Sequence, residues 1–227
     1  MLLRREFRMN YRNYIMIGAF IFGIYFMFFL FGMLFGASPG NKVVWIFFKL
    51  FLIVGGAYFA SLSFADIKRP VGYFYLTIPA SNFEKVLTKW VVTLVGWVVA
   101  YSLVYFLFTF IGKLMIFAVH QEGDILISFK QVSWELVLTY LSTHAVFFFG
   151  ASLFKKNSFI LTIVAISVIS MIITVITFIV AKVVHWNLDL INLDLIMNLD
   201  SIWLIFEIIT ILTLWTLSFV RLRKTQL

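Results

Sequence analysis

The sequence predicts an all-α, polytopic membrane protein with six transmembrane helices, both termini in the cytoplasm and an amphipathic helix at the N-terminal interface. Three observations carry that prediction. Six runs of about twenty apolar residues recur along the chain, the length an α-helix needs to cross a hydrocarbon core roughly 30 Å thick. The composition is 63% hydrophobic and 19% aromatic, with 12% charged residues and three prolines in 227, a balance that water-soluble domains do not have. Lysine and arginine also gather on one side of the apolar runs, as the positive-inside bias requires.

The spans are expected at 14–36, 43–65, 90–112, 134–154, 159–183 and 201–220. Helix is the only form open to them, because backbone groups in lipid must be satisfied within the segment. Counting Lys and Arg in the two tails and the even-numbered connections gives thirteen, against four in the opposite connections (Lys42, Lys113, Lys130 and Lys182), which places both termini in the cytoplasm. The net charge of +8 would suit nucleic acid, but this one-sided distribution argues for a membrane orientation signal and against a nucleic-acid partner. Spans use up nearly the whole length, so the chain reads as one transmembrane domain over 1–227 without room for a folded soluble domain. Cysteine is absent, which removes disulfides, thiolate metal sites and thiol chemistry.

Within 1–13, Leu3, Phe7 and Tyr11 recur on one helical face and Arg4, Arg8 and Arg12 on another, the pattern of a helix lying among anionic headgroups. The first span has a basic start, yet its apolar run is about twice a signal-peptide core, so it is read as retained. Gly32 and Gly36 form GxxxG, and Gly56 with Ala60 repeats the small-xxx-small spacing of close helix contacts. The four-residue connection 155–158 forces the fourth and fifth spans into an antiparallel hairpin. Along the fifth span, Ser167, Ser170, Thr174 and Thr177 make a polar stripe, either hydrogen-bonding glue between helices or the wall of a substrate path.

The connection 66–89 is the largest basic interruption. Pro70 and Gly72 end the second span, and Pro79 keeps the stretch around it from being helical. Ser81 and Glu84 then have the S-x-x-E spacing of a capping box. Phe83, Val86, Leu87 and Trp90 follow as an apolar face that runs into the third span, with Lys85 and Lys89 on the other face. A capped helix rigidly continuous with a span can act as a lever; the plainer reading is a connector with a well-formed helix start.

The phrase from Tyr75 to Lys85, YLTIPASNFEK, resembles the LPAS-x-x-EK signature of permease subunits in bacterial ATP-binding-cassette type 2 exporters, with Ile78 in place of the usual leucine. The six-span layout is similar to that family over the whole chain. The resemblance implies that 66–89 is a coupling loop resting on a separate ATPase subunit, with Arg69, Pro79, Ser81, Phe83, Glu84 and Lys85 at the contact. No GxxxxGK[ST] phosphate loop occurs, so ATP and magnesium belong on the partner chain and no cofactor is expected here.

Two charges fall inside the bilayer. Lys49 and Glu207 each lie about six residues from the outer end of their spans, roughly 9 Å deep at 1.5 Å per residue. Equal depth suggests a pair, within one subunit or across a dimer; the alternative is a Lys49 that snorkels outward alone and a neutral Glu207. His144 is a candidate proton relay or a histidine bonded to a nearby hydroxyl, with Thr139, Ser142 and Thr143 close in sequence. In the outer loop 184–200, Leu188, Ile191, Leu195 and Leu199 align as a short interfacial helix. Asp189, Asp194 and Asp200 share no helix face, which argues against a carboxylate metal site.

The leading expectation is therefore a non-enzymatic transport subunit of the bacterial inner membrane. Working with ATPase subunits and a second permease copy or homologous permease, it would move an amphipathic, lipidic or peptide-like substrate by alternating access. The alternatives are a non-ATPase module such as a small channel or assembly scaffold, and then a membrane hydrolase.

Overall fold

The structure is a computed structural model; it describes residues 11, 15–16, 18–24, 26–27, 41–64, 81–118, 132–154, 156–185 and 199–225. The described residues are helical apart from turns and helix ends. After a helical stretch at 18–24 come α1 (Asn41–Leu62), α2 (Asn82–Val91), a π-turn (Val92–Gly96), α3 (Trp97–Ala118), α4 (Trp134–Leu153), α5 (Ser158–His185) and α6 (Leu199–Thr225). Among the described residues, five helices are long and apolar enough to cross a membrane: α1, the continuous run from α2 into α3, α4, α5 and α6. The chain is thus multi-pass. The first expected span falls partly, and the 1–13 helix, the 66–80 part of the coupling loop, the GxxxG pair and most of the outer loop fall almost wholly, outside the described residues.

α4 is the hub, packing against α1, α5 and α6. More than half of its most apolar stretch is buried, whereas along α5 Thr162 is the one buried side chain among those described. Small residues let α1 approach so closely. A side chain at Gly56 would stand 2.5 Å from the ring of Tyr140 on α4, and one at Gly55 would collide with the indole of Trp97 on α3. Ala57 and Ala60, one and four residues further on, are buried in an adjoining apolar cluster. The expected Gly56 and Ala60 pair is therefore a point of close packing.

Two apolar clusters fill the bundle. One joins α1, α3 and α4 through Leu52, Phe59, Trp97, Tyr101, Tyr105 and Tyr140. The other joins α1, α2, α4 and α6 through Ala60, Phe64, Val86, Phe148 and Leu222. The aromatic residues of α3 also bond to α1's backbone: Trp97 donates its indole N–H to the Leu52 carbonyl at 3.0 Å and Tyr101 its hydroxyl to the Phe48 carbonyl at 3.1 Å. Their rings supply area while their polar tips find acceptors, as buried Trp and Tyr require.

The turn between α4 and α5 is tight, with Asn157 in the left-handed region at φ 50°, a conformation asparagine tolerates better than most residues. Ser158 donates to the Ser61 carbonyl at 2.6 Å, tying this turn to the end of α1. The expected hairpin packs only at this end. Phe159 lies against Tyr58 and Phe147, and Thr162 fills the space left by Gly150. Beyond Thr162, α5 is exposed nearly all round up to its last turns, and its high hydropathy suits it to lipid.

Candidate functional site

The start of α2 is closed on both sides. Ser81, in extended conformation, accepts from the Glu84 backbone N–H at 3.2 Å, and the Glu84 carboxylate accepts from the Ser81 N–H at 2.9 Å. Two of the four donors that a helix N-terminus leaves unmatched are thereby satisfied, and the Glu84 charge sits at the positive end of the helix dipole. Arg69 and Pro79, expected at the same contact, lie outside the described residues.

From this cap the helix runs without a break into the π-turn and then α3. The π-turn is gripped from α4. The Tyr140 hydroxyl donates to the Leu94 carbonyl at 2.8 Å. The Thr93 hydroxyl lies 2.8 Å from the Lys89 carbonyl, to which it donates, and 3.0 Å from Nε2 of His144. α6 holds the other flank, with Phe219 edge-on to Phe83 at 6.0 Å and Trp215 perpendicular to Trp90 at 5.2 Å. His144 is fully buried, stacked on Phe148 and set 6.2 Å from the Trp215 ring. Its Nδ1 and the indole N–H of Trp215 have no hydrogen-bond partner among the described residues.

The face that α2 buries differs from the one its sequence predicts. Lys85 and Lys89 are 4% and 3% exposed, whereas Phe83 and Leu87 are 60% and 42% exposed. Val86 is buried and Trp90 half-buried, as expected. The cause is the π-turn: its i to i+5 bonding carries one residue more than an α-turn, so everything before it is rotated relative to the span.

Lys49 and Glu207 meet different partners in this chain. The Lys49 ammonium lies 5.4 Å from the centroid of the Trp45 ring, a cation–π distance. Glu207 Oε1 lies 2.7 Å from the Ser142 hydroxyl, which is also 2.6 Å from the Leu138 carbonyl. No ion pair joins the two, because α4 packs against both α1 and α6 and its Ser142 takes Glu207. Ser167, Ser170, Thr174 and Thr177 are exposed, and each donates to a carbonyl of its own helix, at 2.8 to 2.9 Å for the shortest bonds. Within one chain they join no helices.

His144 is bonded to a hydroxyl, but not to one of its sequence neighbours. Thr93, Tyr140 and Trp215 were absent from the expected site. Thr93 had one sequence signal: a lone hydroxyl one helical turn beyond Lys89 at the start of an apolar span. Compared with known proteins, the chain matches no family model, no curated protein and no solved structure.

Proposed function

We propose that this chain is the permease subunit of an ATP-driven exporter of the ATP-binding-cassette type. On this reading six spans lie in a bacterial inner membrane with both termini in the cytoplasm. Two permease copies, or this chain and a homologue, form the membrane part. ATP and magnesium are held by separate ATPase subunits, and the chain itself carries no catalytic residue. An amphipathic or lipidic cargo suits walls rich in Phe, Ile and Thr with few fixed charges.

The observation that supports the reading is the closed Ser81 and Glu84 capping box on a helix continuous with a span. A push on α2 has three routes into the bundle: along the helix into α3, through Thr93 to His144 on α4, and through Trp90 to Trp215 on α6. A simple connector between two spans requires none of these attachments.

The test is purification of the tagged chain from its native membrane in mild detergent, followed by reconstitution. An ATPase is expected to accompany it, and transport is expected to require ATP hydrolysis. A stable complex without any nucleotide-binding protein, whose activity ignores ATP, would overturn the proposal.

A further inference from the structure

An uninterrupted α-helix turns about 100° per residue. Carried backward from the buried Trp97 and Tyr101, such a helix directs Phe83, Val86, Leu87 and Trp90 toward the bundle and Lys85 and Lys89 away from it. With the π-turn in place every earlier position is displaced by one residue. Lys85 then stands where Val86 would, and Lys89 where Trp90 would, while Phe83 and Leu87 are carried to the outside. The burial of the four side chains follows this displaced register.

Two side chains of α4 hold that register. Tyr140 donates to the carbonyl of Leu94, inside the π-turn, and His144 bonds to Thr93, also inside it. Both registers are chemically sensible for α2. The observed one buries Lys85 and Lys89 whole and presents Phe83, Glu84 and Leu87 outward. The other buries the apolar stripe and presents both ammonium groups to water.

We propose that Val92–Gly96 is a two-register joint. Closing the π-turn to an α-turn rotates α2 by about 100° and moves it about 1.5 Å along its axis. That motion exchanges Lys85 and Lys89 for Phe83 and Leu87 on the buried face, and so changes the outward surface of α2 from apolar to basic. Tyr140 and His144 are the latch that selects the observed register. The joint stands on helix geometry alone and holds whether or not an ATPase docks on α2.

The chain has no cysteine, so single-cysteine variants need no altered background. Phe83→Cys, Lys85→Cys, Leu87→Cys and Lys89→Cys are each exposed to a membrane-impermeant maleimide in native membranes opened by sonication. Positions 83 and 87 are expected to label at least tenfold faster than 85 and 89. Adding Tyr140→Phe with Thr93→Val, which releases the latch, should shrink that ratio at least threefold. Deleting Val95, which removes the extra residue and leaves a plain α-helix in the observed register, should keep the ratio and make it insensitive to the latch variants. Should the deletion fail to insert, the latch variants decide, since they keep the chain length. Equal labelling of all four positions in the parent chain, or a ratio unmoved by the latch variants, overturns the joint.

Discussion

His144 donates from Nε2 to the hydroxyl of Thr93, 3.0 Å away, and the direction of that bond follows from the other partner of Thr93. A hydroxyl has a single proton. Thr93 donates it to the Lys89 carbonyl at 2.8 Å, with the Trp90 carbonyl farther off at 3.4 Å, so its oxygen meets the imidazole as an acceptor. This assigns the proton of the neutral ring to Nε2 and leaves Nδ1 as an acceptor without a partner among the described residues.

The two ends of this bond are therefore unequal. Thr93→Val leaves a buried N–H on His144 without an acceptor and is expected to cost about 1 to 3 kcal/mol. His144→Phe leaves Thr93 still donating to Lys89, so its polar cost is smaller. The double variant should recover at least half of the loss caused by Thr93→Val alone. Thermal unfolding in detergent of all three reads this directly, and a double variant whose loss equals the sum of the singles would show that the contact carries no energy.

Gly56 on α1 packs directly against the ring of Tyr140 on α4, whose hydroxyl donates to the Leu94 carbonyl. Gly56→Ala must push that ring aside, so it should combine overpacking, typically about 1 to 3 kcal/mol, with loss of the hydrogen bond. Tyr140→Phe in the Gly56→Ala background should then add almost nothing, although alone it should cost about 0.5 to 1.5 kcal/mol. Additive losses in folded yield and melting temperature would mean that Tyr140 keeps its bond to Leu94 when α1 is moved.

How far the sequence predicted these features depended on the range of the interaction. The spans are properties of about twenty consecutive residues, and α4 begins at Trp134 and α5 at Ser158, within a residue of expectation. The capping box spans four residues and was legible in full. The π-turn has no such local signature: Val92–Gly96 reads as ordinary apolar helix, and what holds it open comes from Tyr140 and His144, some fifty residues away. Missing that turn reversed the expected face of Lys85 and Lys89. His144 was expected to bond a hydroxyl and does, but its partner Thr93 was not foreseen for the same reason, being distant in sequence and adjacent only after the π-turn and α4 pack.

Equal depth in the bilayer suggested that Lys49 and Glu207 pair, but each has another partner within the chain. Lys49→Met and Glu207→Gln are expected to change stability additively, to within about 0.5 kcal/mol, as independent sites do. Ser142→Ala and Glu207→Leu should instead be coupled. Measured on the monomer and on any cross-linked dimer, the first pair would show coupling only in the dimer if the two charges meet across copies.

The most direct probe of the proposed lever is the Ser81 and Glu84 box. As a cap it contributes about 0.5 to 2 kcal/mol, too little to unfold a multi-span bundle held by α4. Glu84→Ala and Ser81→Ala are therefore expected to insert normally and, on the proposed reading, to retain an ATPase partner. If α2 transmits force, both should lower the amount transported per ATP hydrolysed by several-fold. Glu84→Gln can still return a hydrogen bond to the Ser81 N–H and should keep most of the coupling. Reconstituted vesicles with transport and hydrolysis measured together separate the outcomes. Equal coupling ratios in all three variants and the parent would reduce α2 to a connector, whereas loss in Glu84→Gln as severe as in Glu84→Ala would assign the role to the charge of Glu84 rather than to the cap.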